Sequence, residues 1–69
     1  MKSFWQHDNG KVYAIRCNSF GNLTGAAGPL DIDDLKRLDD YRYEMGIVDW
    51  IKEALAERKL HRINATPVR

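Results

Sequence analysis

The sequence predicts an α+β fold: a three-stranded antiparallel β-meander packed on one C-terminal amphipathic helix. Three observations predict it. Two short runs rich in aromatic and β-branched residues flank Asn9-Gly10, a dipeptide that marks a tight hairpin. Asn18-Ser19-Phe20-Gly21 offers a second turn soon afterwards. From Gly46 to Leu60 the apolar residues recur at helical rather than strand spacing.

The first strand is read from Lys2 to His7 and the second from Lys11 to Cys17. A two-residue turn at Asn9-Gly10 would set His7 opposite Val12, Trp5 opposite Ala14 and Phe4 opposite Ile15. A left-handed Gly21 closing a bulged second turn pairs Cys17 with Leu23 and Ala14 with Ala26, so residues 22–27 form the third strand. Side chains alternate across a sheet. Phe4, Tyr13, Ile15, Cys17 and Leu23 are therefore assigned to the face under the helix, with Gly25 and Ala27 allowing close approach. Trp5, Ala14 and Ala26 form a row on the opposite face, an indole beside a floor of methyl groups, with Val12 and Arg16 as neighbours.

Gly28-Pro29 ends the meander. Residues 31–43 are an acidic connection, too charged for a central strand. Asp31 is placed to cap a short helix holding Leu35 and Leu38, with an irregular stretch through Tyr41 and Tyr43. On a helical wheel Ile47, Val48, Trp50, Ile51, Ala54 and Leu55 share one arc, whereas Asp49, Lys52, Glu53, Glu57 and Lys59 lie outside it. Asp49 near the start and Arg58 and Lys59 near the end agree with the helix dipole. Arg58 falls inside the apolar arc, its stem expected at the core edge. His61-Arg62-Ile63 reads as a closing strand or a loop, and residues 64–69 as a frayed tail.

The 69 residues make one small domain, which gains stability readily from a partner. A content of 43% hydrophobic and 30% charged residues argues against disorder. No apolar run approaches a membrane span, and the N-terminus lacks a signal-peptide core; peripheral association with a membrane stays open. A lone Cys17 has no internal disulfide partner and fits a reducing, cytoplasmic setting. The charge is uneven: residues 31–57 are strongly acidic, whereas Arg58, Lys59, Arg62 and Arg69 face no acid in the last stretch. That asymmetry suits protein contacts better than a nucleic-acid groove.

Catalytic and metal constellations are weak. His7 and Cys17, the one Cys/His combination of interest, fall on opposite sheet faces in the predicted register, out of hydrogen-bond reach. Asp31, Asp33 and Asp34 resemble the opening of a calcium loop, but Lys36 and Arg42 occupy the positions that need glycine and glutamate. Gly21, Gly25 and Gly28 do not have dinucleotide-fingerprint spacing. No cofactor, metal or catalytic residue is expected. The Trp5 row remains, because Trp and Arg dominate interface hot spots. Either its face is open to a partner, or residues 31–43 fold over it with Leu35, Leu38 or Tyr41.

The strings FWQHDNGKVYAIR, GNLTGAAGPL and LDDYRYEMGIVDWI together resemble a group of small cyanobacterial proteins that share the WQ, VYAI and GPL segments at similar spacing. The resemblance covers most of the chain. It implies a soluble accessory protein, one that docks on a photosynthetic or electron-transfer complex, and it carries over no catalytic residue. The expectation is a non-enzymatic protein that binds a larger protein through Trp5, Ala14, Arg16, Ala26, Tyr41 and Tyr43. The alternative is a nucleic-acid-associated regulator using Arg58, Lys59, Arg62 and Arg69. The oligomeric state is left open.

Overall fold

The computed structural model describes residues 1–65. An antiparallel sheet is built from β1 (Lys2–His7), β2 (Val12–Cys17), β3 (Leu23–Leu30) and β4 (Leu60–Ile63) in the order β3-β2-β1-β4. The helix α1 (Val48–Ala56) lies between β3 and β4 in sequence. The fold is α+β as expected, with a fourth strand added: the His61-Arg62-Ile63 segment closes the sheet beside β1 rather than forming a loop.

The first turn is not the two-residue turn expected. His7 N–H donates to the Lys11 carbonyl at 2.8 Å and Gly10 N–H to the His7 carbonyl at 2.9 Å, so the loop holds three residues, Asp8, Asn9 and Gly10. Gly10 has φ +90°, the left-handed region that a glycine enters at no steric cost. The Asn9 side chain accepts from Lys11 N–H at 2.8 Å and reinforces the turn. The extra residue slips the register by one, pairing Phe4 with Ala14 and Trp5 with Tyr13. A one-residue slip exchanges the faces of a whole strand. Phe4 and Trp5 have therefore traded places.

The second turn holds as read: Gly21 has φ +84° and Cys17 pairs with Leu23. A bulge at Thr24 then pairs Arg16 with Gly25, Ile15 with Ala26 and Ala14 with Ala27, one position off the expectation. Ala26 thus joins the helix side, and Gly25 and Ala27 the opposite side. Gly28-Pro29 does not end the strand as expected: β3 runs through it to Leu30, which pairs with Val12 across a second register shift. The predicted row of Trp5, Ala14 and Ala26 does not exist: Ala14 faces away from the other two.

Two apolar clusters hold the sheet. On the helix side Tyr13, Ile15, Ala26, Ile51, Ala54 and Leu60 are buried, with Trp5, Cys17, Leu23 and Leu55 partly buried against them. On the other face Phe4, Val12, Ala14 and Leu35 are buried, covered by Leu38, Tyr41 and Tyr43. The connection therefore folds over this face, through two single 3₁₀ turns, Ile32–Asp34 and Leu38–Asp40. Asp31 makes no side-chain cap bond. Tyr41 meets Phe4 edge-on at 6.0 Å, and its hydroxyl accepts from Lys36 N–H at 2.6 Å. Tyr43 donates its hydroxyl to the Leu38 carbonyl at 2.7 Å. Glu44 then exchanges two 3.0 Å backbone bonds with Ala26 on the outer edge of β3.

The helix is shorter than the predicted 46–60. Arg58 turns into the left-handed region at φ 60°, with Arg58 N–H donating to Leu55 and Lys59 N–H to Ala54. This is the Schellman closure. It releases Leu60 into β4 and leaves Arg58 exposed rather than against the core. Of the predicted tail, Asn64 and Ala65 are described, and Ala65 packs on the second cluster. The rest of that tail lies outside the described residues.

Candidate functional site

A cleft between α1 and the end of the sheet that carries Cys17 and Leu23 forms the site. A nine-residue helix is only about 14 Å long. It buries Ile51 and Ala54 over Tyr13, Ile15 and Ala26. Toward Cys17 and Leu23 it leaves a cleft of about 550 Å³, a volume in the range that binds ligands. Trp5, Ile15, Cys17 and Leu23 of the sheet and Leu55 of α1 supply its apolar lining. The second turn, Asn18 to Asn22, bounds the open end.

Each element places its residues for a local reason. The register slip turns Trp5 to the helix side, where its indole Nε1–H donates to Ser3 Oγ at 2.9 Å. That bond fixes the ring, leaving it half-buried with one surface to the cleft. The turn is held by the Asn18 side chain, which accepts from Phe20 N–H at 2.9 Å and Asn22 N–H at 3.0 Å. Phe20 projects from its tip, 87% exposed.

The electrostatics of the cleft are one-signed. Lys52 from α1 and Arg62 from β4 line it, and no carboxylate does among the described residues. Lys2 also reaches it, but its ammonium is bonded to Asp39 at 2.6 Å, and that contact holds the Asp39 carboxyl below the ordinary carboxylate range. Lys52 and Arg62 make no ion pair among the described residues. An apolar floor under unpaired cations can hold a group that carries both apolar surface and negative charge.

The expected site residues are dispersed. Trp5 is in the cleft, but Ala14 and Ala26 are buried on opposite faces at 0% and 1% exposure. Arg16 is spent on structure: it bonds the Thr24 hydroxyl and carbonyl at 3.1 Å each and lies over the Tyr43 ring at 5.5 Å. Tyr41 and Tyr43 close the second face. Burial first, and then the nearby Asp39 charge, push the Tyr43 hydroxyl up to about 12. Of the described members of the basic set, Arg62 alone lines the cleft. Arg58 and Lys59 follow the helix end, and Lys59 is bonded to Glu57 at 3.0 Å. Arg69 lies outside the described residues.

Lys52, Leu55 and Leu23 were missed as cleft residues. Their signal was the short reach of the helix, which the predicted length concealed. In the observed register His7 and Cys17 share the helix-side face, at opposite ends of the sheet, His7 beside Trp50 and Cys17 in the cleft. No three metal-ligating side chains cluster among the described residues, and no helix there is long and apolar enough to cross a membrane. No family model, curated protein or solved structure matches the chain.

Proposed function

We propose that this chain is a small non-enzymatic accessory protein that binds a larger protein by taking one of its segments into the cleft over Trp5. The observation that carries this reading is an apolar cleft lined by Lys52 and Arg62, which have one sign and no ion pair among the described residues. A large apolar side chain seated on Trp5, Leu23 and Leu55 would remove their surface from water. Carboxylates beside it would meet the ammonium and the guanidinium, which set orientation and encounter rate. The anchor belongs to the partner and the receptor to this chain, the reverse of an indole plugging a foreign pocket. The resemblance to small cyanobacterial proteins extends the proposal to a partner in a photosynthetic or electron-transfer complex.

The nucleic-acid reading has less support, because Arg58 and Lys59 lie beyond the helix end while Arg62 lies at the cleft. The test is capture of partners from native lysate with the wild type and with Lys52→Glu/Arg62→Glu, circular dichroism confirming that both fold. The reversed variant should bind the captured partner roughly tenfold more weakly. In a Trp50→Phe background the Trp5 emission should shift to the blue as the partner seats. A partner kept at full affinity by the reversed variant would remove the cleft from the mechanism. Affinity that collapses with salt, with nucleic acid in the captured material, would favour the alternative.

A further inference from the structure

The helix has a second exposed feature, on the side away from the cleft. Trp50 lies within the apolar arc of α1 yet is 43% exposed. Its ring is not loose. His7 stacks on it at 5.0 Å with 20° between planes, and Tyr13 packs against it at 5.2 Å. His7 is itself oriented, because its Nδ1 accepts from Asn9 N–H at 2.9 Å. These contacts back the indole with other rings and leave its remaining surface to a groove of about 390 Å³ lined by His7, Trp50, Glu53, Ala54, Glu57 and Lys59.

The helical period builds this groove. Residues three and four apart share a face, so Trp50, Glu53, Ala54 and Glu57 make one stripe with an indole at its start and two carboxylates after it. Glu57 is taken by Lys59 at 3.0 Å, whereas Glu53 has no ion pair among the described residues. The lining carries two carboxylates, Glu53 and Glu57, against one ammonium, Lys59. The hydrogen bond that Lys59 donates to Glu57, and then the charges of Glu57, Asp8 and Glu53, hold that ammonium above its ordinary range.

We infer that the Trp50 groove is a separate binding site for a guanidinium group, the side chain of an arginine on a partner protein, stacked on the indole and paired with Glu53. Indole is the best of the aromatic side chains for a cation over its face. A planar guanidinium both stacks on a ring and donates in pairs to a carboxylate, which a compact ammonium does not. The site has the opposite sign to the Trp5 cleft and shares no residue with it. It stands or fails independently of what the cleft binds.

The test is a titration of the isotope-labelled full chain with N-acetyl-arginine amide, followed on the two indole N–H resonances. N-acetyl-citrulline amide, of the same shape without the charge, is the control. Arginine amide should move the Trp50 indole and the Glu53 amide and leave the Trp5 indole in place, while the citrulline compound moves none. Glu53→Gln should weaken the response roughly two- to fivefold. Trp50→Leu should abolish the Glu53 shift. Equal shifts with citrulline, an unchanged affinity in Glu53→Gln, or movement of Trp5 instead of Trp50 would each overturn the site. Should Trp50→Leu fail to fold, Glu53→Gln, which changes one exposed side chain, decides.

Discussion

Gly28 shows how tightly single positions are set. It has φ +150°, and a Cβ built there would lie 2.5 Å from Cδ2 of Tyr13, a ring only 6% exposed. The ring has nowhere to retreat within the helix-side core. Gly28→Ala should therefore cost about 2–3 kcal/mol in urea unfolding, from backbone strain and overpacking together. Tyr43 sets a second expectation at this scale. Its hydroxyl is held protonated up to about 12 in the folded chain, against an ordinary value of 10.0. An acid whose pKa is raised by folding leaves stability intact below its unfolded value. Stability is then lost as pH rises from about 10 toward 12, because the unfolded chain ionises first. Thermal unfolding followed across that window should show a falling midpoint, and Tyr43→Phe should flatten the fall. An equally steep fall in the variant would assign the effect to other groups.

At the scale of elements, the strands and the helix were legible because each carries its own period. Register was less legible. Asn-Gly suits both a two-residue and a three-residue loop, and the two differ by one position. Phe4 and Trp5 are adjacent and both large, so hydrophobicity does not say which faces the helix; only the loop length does. The open or covered state of the second face depended on Leu35, which is 1% exposed and holds the connection on Phe4, Val12 and Ala14. Leu35→Ala should cost about 3 kcal/mol, measurable by denaturant titration. A cost near zero would mean that the connection is not fixed to the sheet. The helix end was illegible because no glycine marks it. Arg58 takes the left-handed position instead, which costs an ordinary residue about 1 kcal/mol. Arg58→Gly should raise stability by roughly that amount. If the variant also binds partners like the wild type, Arg58 has no part in recognition; a loss of stability would show that the Arg58 side chain matters more than its backbone.

At the scale of the molecule, charge is sorted by face. Asp39 pairs with Lys2 and Asp31 with Lys11, so the acidic connection neutralises a cation of β1 and one that follows the first turn as it crosses the second face. Among the described residues the helix side leaves Lys52 and Arg62 without an ion pair at one end and Glu53 at the other. Alternation along single strands does not reveal this sorting, because it arises from how the connection folds back. β1 is an interior strand, with β2 on one side and β4 on the other. Leu60, 4% exposed, seals the helix-side core from β4. A chain cut after Glu57 would lose that side chain, worth about 2–5 kcal/mol by analogy with core truncations. It would also expose the edge of β1 as a template for other chains. A domain of this size has only a few kcal/mol in reserve. The cut chain should therefore show no cooperative thermal transition and should aggregate at concentrations where the full chain does not. A cooperative transition within a few degrees of the full chain would mean that the β3-β2-β1 meander and α1 suffice, with β4 contributing mainly Arg62 to the cleft.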